Sequence, residues 1–153
     1  MSYLGYGRWP FDTLWRKDLR DAYVVLQDGT PVGKWYQGPF TTPDDAEIGR
    51  AFMHIWNPNI SFYVARIGNV TLTECKYLSD LLSFRLSREA VEKGNERVKT
   101  LMALCYAYGH EVTRDMQEAR QLLNERAAAG DEDAVVCRAI LKRTLWHDLA
   151  DQL

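Results

Sequence analysis

No proline occurs beyond Pro58 in this chain of 153 residues. Every backbone N–H after that point can donate, so the second half is open to long helices. No apolar run approaches the ~20 residues of a membrane-spanning helix, and the N-terminal "MSYLGYGRWPFDTLWRKDLR" lacks a basic start followed by an apolar segment. The expectation is a cytoplasmic protein without membrane contact. Positive charge is not concentrated either: 19 Lys and Arg face 21 Asp and Glu, a net of −2, with no long run of one sign. Such a balance does not neutralise a row of phosphates, which argues against nucleic acid as a partner.

Cysteine is scarce. Cys75, Cys105 and Cys137 lie too far apart for zinc-ligand spacing, and their number is odd for a disulfide framework. Their apolar, helical-looking settings fit buried reduced thiols. The phosphate-binding, dinucleotide, zinc-protease and nucleophile-elbow motifs G-x-x-x-x-G-K-[ST], G-x-G-x-x-G, H-E-x-x-H and G-x-S-x-G are all absent. No cofactor or metal is therefore expected. The acid pairs Asp44-Asp45 and Asp131 to Asp133 suit helix starts, where the macrodipole favours negative charge.

Composition shifts near residue 72. Of 18 aromatic residues, 13 lie between positions 1 and 63, among them Trp9, Trp15, Trp35 and Trp56, together with six of the ten glycines. The fold class read from this is α+β: an aromatic, turn-rich unit over 1–72, then a helical region over 73–153. In the first, Ala22–Leu26, then Asp28-Gly29-Thr30-Pro31, then Val32 to Tyr36 mark a hairpin. Thr42 as cap, Pro43 in the first turn, and apolar Ile48, Phe52 and Ile55 predict a helix over 43–56, stopped by Asn57-Pro58. "ISFYVARIGNVTL" around Gly68-Asn69 predicts a second hairpin.

In the second region, Thr71 with Glu74 reads as a capping box opening a long helix to Gly94, with Leu78, Leu81, Leu82 and Leu86 on its apolar side. Further helices are predicted from Glu96 to Tyr108, from about Arg114 to Ala129, and from Asp133 to about Leu149. "AVEKGNERV" and "RAAAGDEDA" coincide at a shift of 36 residues, Gly94 falling on Gly130. A period of that length signals stacked helical hairpins.

Met102-Ala103-Leu104-Cys105-Tyr106, then Gly109, Val112, Asp115, Ala119, Ala127 and Gly130-Asp131, resemble the Sel1-like repeat, a TPR-like helical family. Its pattern runs roughly L-G-x-x-Y-x-x-G-x-G-V-x-x-D-x-x-K-A, then an aromatic, then A-A-x-x-G-[DN]. The likeness spans about residues 78–149, with one full unit from Glu96 to Asp131 and half-units on either side. Glu111 stands where the pattern has its second loop glycine, so a negative φ is expected there. Arg138 and Lys142 replace an apolar residue and a tyrosine, as on a terminal helix that meets water.

The resemblance implies a non-catalytic protein-interaction module. It also implies that the first helices line a concave binding face, which points to Lys99, Thr100, Tyr108, Arg138 and Lys142 as partner-binding residues. That mildly basic patch would suit an acidic protein. Two other readings stay open: an immunity or antitoxin-like inhibitor that binds one cognate toxin 1:1, and a small enzyme using Asp44, Asp45 and His54. Because repeats need neighbours over their apolar faces, residues 1–72 are expected to serve as an N-terminal cap.

Overall fold

A computed structural model describes residues 21–28, 33–40, 42–66, 68, 72–75 and 83–144, with the backbone alone at 33–39 and 72–75. The expectations for "YLGYGRWPF", Trp9, Trp15, Leu78, Leu82 and the end of the last helix lie outside these residues. The chain is mixed α and β, and the described residues fall into two compact units, one within Pro10–Leu81 and one within Leu82–Leu153.

The first unit is a four-stranded sheet with one helix. β1 (Tyr23–Gln27) pairs antiparallel with β2 (Gly33–Phe40) and, on its other side, with β3 (Phe62–Arg66); β4 (Leu72–Cys75) runs parallel to β2, giving the order β3-β1-β2-β4. Central β1 is apolar on both faces, with Val24 and Val25 at 0% exposure and Leu26 at 1%. Helix α1 occupies Pro43–Trp56, as its sequence signals predict. The Thr42 side chain accepts from the Asp45 N–H at 3.1 Å, and at the other end the Asn57 side chain donates to the Met53 carbonyl at 3.0 Å. Ile48, Phe52 and Ile55 are buried in α1, which packs on β1, β2 and β3.

Two sequence expectations fail here. β3 and β4 do not form a hairpin around Gly68-Asn69: each pairs with a different strand of the first hairpin, at opposite edges of the sheet. The helix expected from the Thr71/Glu74 capping box does not begin there, because Leu72–Cys75 is β4, with Leu72 opposite Gly33 and Cys75 opposite Trp35. Cys75 is accordingly a strand residue. Sheet pairing thus runs past the boundary expected at residue 72.

The second unit is helical: α2 (Phe84–Glu92), a 3-10 turn (Glu96–Val98) running into α3 (Lys99–Tyr108), α4 (Met116–Ala128) and α5 (Glu132–Thr144). Successive helices pack in sequence order, α2 on α3, α3 on α4 and α4 on α5. The core is drawn from Val98, Leu101, Leu104, Cys105, Leu123, Cys137 and Leu141, none more than 8% exposed. No described helix is long and apolar enough to cross a membrane.

The coincidence at 36 residues is present in the backbone bonds. After α2, Gly94 N–H donates to Val91 O at 2.9 Å and Asn95 N–H to Ala90 O at 2.9 Å; after α4, Gly130 N–H donates to Ala127 O at 3.0 Å and Asp131 N–H to Arg126 O at 3.1 Å. These are the paired bonds of a Schellman ending, which needs a left-handed residue after the helix. Gly94 has φ 100° and Gly130 φ 89°. A side chain at either glycine meets no atom within 4 Å, so only backbone strain opposes one. Gly94→Ala and Gly130→Ala should therefore each cost about 1–2 kcal/mol in urea unfolding; a variant as stable as the natural chain would show that the glycine conformation is not required.

Candidate functional site

The five residues expected to share one binding face are divided by the structure. Thr100 and Tyr108 lie on one stripe of α3 with Leu104 between them, four residues from each, and that stripe is core: Thr100 and Leu104 are 0% exposed and Tyr108 is 4% exposed. The Thr100 hydroxyl has no hydrogen-bond partner among the described residues. Both side chains are closed off from a binding protein by burial. Lys99 is engaged within the unit, its Nζ lying 2.6 Å from Glu125 Oε1 on α4 and 3.1 Å from Glu96 Oε2. The bond to Glu125, followed by that to Glu96, holds its ammonium above the ordinary value.

Arg138 and Lys142 remain together on α5, one turn apart. Arg138 is partly exposed and donates to Asn124 Oδ1 at 3.1 Å, and Lys142 is exposed. Beside them Val135 and Ala139 are also exposed. Acids occupy the first turn of α5 and bases the last, which suits its dipole. The exposed surface of α5 beyond its first turn is thus cationic with small apolar residues between.

α5 is placed by acidic residues at its start. Asp131 Oδ1 accepts from Asp133 N–H at 3.0 Å and from Ala134 N–H at 3.4 Å, and its Oδ2 meets Arg126 at 3.4 Å. Asp133, 3% exposed, pairs with Arg97 at 3.6 Å. Arg97 and Asp133 are themselves 36 positions apart, so residues one period apart carry opposite charge and join. The signal was visible in the sequence only once the period had been fixed.

Glu111 corrects another expectation. Its φ is 64°, the one positive value at a non-glycine among the described residues. The left-handed backbone aims its carboxylate at α2: Oε1 accepts from Phe84 N–H at 2.8 Å. Ser83 caps the same end, its hydroxyl accepting from Leu86 N–H at 3.2 Å. α2 has no acid in its own first turn, and Glu111 supplies one from 27 residues away. Phe84 stands edge-on to Tyr106, with ring centres 5.3 Å apart. Nothing in the local sequence announces this link.

The titratable residues of the alternative enzyme reading are not assembled. Asp44 and Asp45 lie in the first turn of α1 and His54 in the last, roughly 13–15 Å apart along the axis at 1.5 Å per residue. Among the described residues no three His, Cys, Asp or Glu side chains are grouped to hold a metal ion. Cys105 and Cys137 are buried, and neither is in a disulfide. Burial, with the charge of Glu111 adding, pushes the Cys105 thiol up to about 12, and burial followed by Glu118 and Asp115 raises the Tyr106 phenol.

Glu111→Ala keeps the strained backbone and loses the α2 cap, whereas Glu111→Gly loses the cap but relieves the strain. Alanine should be the less stable of the two by about 1–2 kcal/mol in urea unfolding, with Glu111→Gln nearest the natural chain; equal stability of Ala and Gly would remove the strain account. Separately, Cys105, Tyr106 and Lys99 all hold their protons to higher pH folded than unfolded. The unfolded chain then binds fewer protons than the folded one at alkaline pH, so stability should fall as pH rises above about 9. Urea midpoints at pH 7, 9 and 10.5 measure this, and Cys105→Ala should flatten the first part of the decline. A midpoint that stays level would contradict it.

No protein-family model, curated protein or solved structure matches this chain.

Proposed function

We propose that this chain is a non-catalytic protein-interaction module of the Sel1-like, TPR-like helical-repeat kind, binding a partner protein through its helical unit. The observation that supports the reading is the recurrence, 36 residues apart, of the same hydrogen-bonded helix ending at Gly94 and Gly130. A repeat fixed by backbone bonds and buried apolar residues leaves its outward side chains free to vary with the partner. Thr100 and Tyr108 belong to the fixed interior, so the binding surface is narrowed to α5, with Arg138 and Lys142 as its charged residues. Their charge suits an acidic partner surface.

The test uses the full chain as bait, followed by calorimetry with each purified partner. Exchange of Arg138 and Lys142 together to Glu should weaken binding by about tenfold or more, ~1.4 kcal/mol, and leave the thermal melt in place. Unchanged affinity would reject α5 as the surface. A single cognate protein held 1:1 with slow release would specify an immunity-type inhibitor, and several partners of moderate affinity an adaptor.

A further inference from the structure

The recurrence provides α5 with a template, namely α3. At a shift of 36 residues, Val135, Ala139 and Arg143 fall on Lys99, Ala103 and Ala107. These positions are four apart and share one stripe of their helix. On α3 the first residue of that stripe reaches α4, Lys99 Nζ lying 2.6 Å from Glu125 Oε1. Ala103 and Ala107 are both 0% exposed. On α5 the same stripe is open: Val135 is 43% exposed, and Ala139 and Arg143 are exposed. The helix end repeats the contrast, with Tyr108 4% exposed and its equivalent Thr144 exposed. The opposite side of α5 behaves as its template does, Cys137 and Leu141 being buried like Leu101 and Cys105. α5 therefore has the packing of α3 on one side, and on the other lacks the counterpart of α4 among the described residues.

The residues on and beside the open stripe restrict what can lie there. Val135 and Ala139 are small enough to admit a helix at close range, and their equivalents on α3, Lys99 and Ala103, lie on a helix that packs against α4. Arg138, Lys142 and Arg143 make the surroundings cationic, while the acids of α5 are confined to its first turn, where Asp133 is turned inward to Arg97. Within the unit itself a carboxylate on the covering helix already meets a cation on the covered stripe, Glu125 to Lys99. The geometry points to the Val135–Ala139–Arg143 stripe as the docking site for an acidic amphipathic helix of a partner protein, seated on α5 as α4 is seated on α3. This rests on the protein-interaction reading and narrows it to one face and one class of ligand.

Two labelled synthetic peptides with the apolar pattern of Arg114–Ala129 serve as probes. In one, Arg114, Arg120 and Arg126 are exchanged for Glu; in the other, Asp115, Glu118 and Glu125 are exchanged for Lys. Titrated with the full chain by fluorescence anisotropy, the acidic peptide should bind saturably and about tenfold or more tighter than the cationic one, ~1.4 kcal/mol. Ala139→Arg and Lys142→Glu in the chain should each weaken that binding with no change in the thermal melt, both positions being exposed. Absence of binding, equal binding of the two peptides, or binding indifferent to Ala139→Arg overturns the assignment. Sedimentation showing a dimer that Ala139→Arg returns to monomer also overturns it, giving the stripe to a second copy of the chain. A partner protein isolated with the full chain and bound equally well by Ala139→Arg would leave the interaction reading standing and remove this face from it.

Discussion

The carboxylate of Asp131 is the point on which the helical unit turns. α4 ends at a left-handed Gly130, and the chain must then enter α5 at once, leaving free N–H groups at the new helix start. Asp131 answers with one oxygen on two of those N–H groups and the other on Arg126, in the helix just completed. Its side chain is 5% exposed, so these bonds are made largely out of water, where an unsatisfied carboxylate is costly. Two residues on, Asp133 fastens the same turn to Arg97 at the entrance to α3. With that end fixed, the apolar stripes of α4 and α5 are brought face to face.

The other end of the unit is held by longer-range contacts. α2 is short, and its one fully buried residue is Ser87, at the position where α4 has Leu123. The Ser87 hydroxyl has no hydrogen-bond partner among the described residues, so burial there does less for stability than a leucine would. What fixes α2 is the Glu111 carboxylate at its N-terminus and the Phe84–Tyr106 contact, both reaching across to the α3 hairpin. A strained backbone at Glu111 persists because its side chain completes another helix's end.

Local signals were legible where the chemistry that sets them is local. Thr42, Pro43 and Asn57 bound α1 at both ends, since capping and proline act within a turn of the residue that carries them. Gly94 and Gly130 likewise stop α2 and α4. The reading failed at Thr71 and Glu74, whose spacing also suits a capping box, because Glu74 pairs with Lys34 of β2. It failed again at Thr100 and Tyr108, which the resemblance assigned to a binding face; Leu104, midway between them on the same stripe, is buried with them, and the stripe is core. Lys142 is exposed and Arg138 half-buried, one turn apart on α5 and away from the buried Cys137 and Leu141.

The sequence alone determined the helical second half, its 36-residue period, the helix α1 and the near balance of charge, because each follows from residue type and spacing along the chain. Tertiary structure alone decided the strand order β3-β1-β2-β4, the positive φ of Glu111, the joining of Arg97 to Asp133 and the open stripe of α5. These depend on which surfaces meet after the chain has turned back on itself. A helical stripe of small residues reads the same in sequence whether or not a neighbour covers it: Ala103 and Ala139 are the same residue at equivalent positions, one sealed by packing and the other open to solvent.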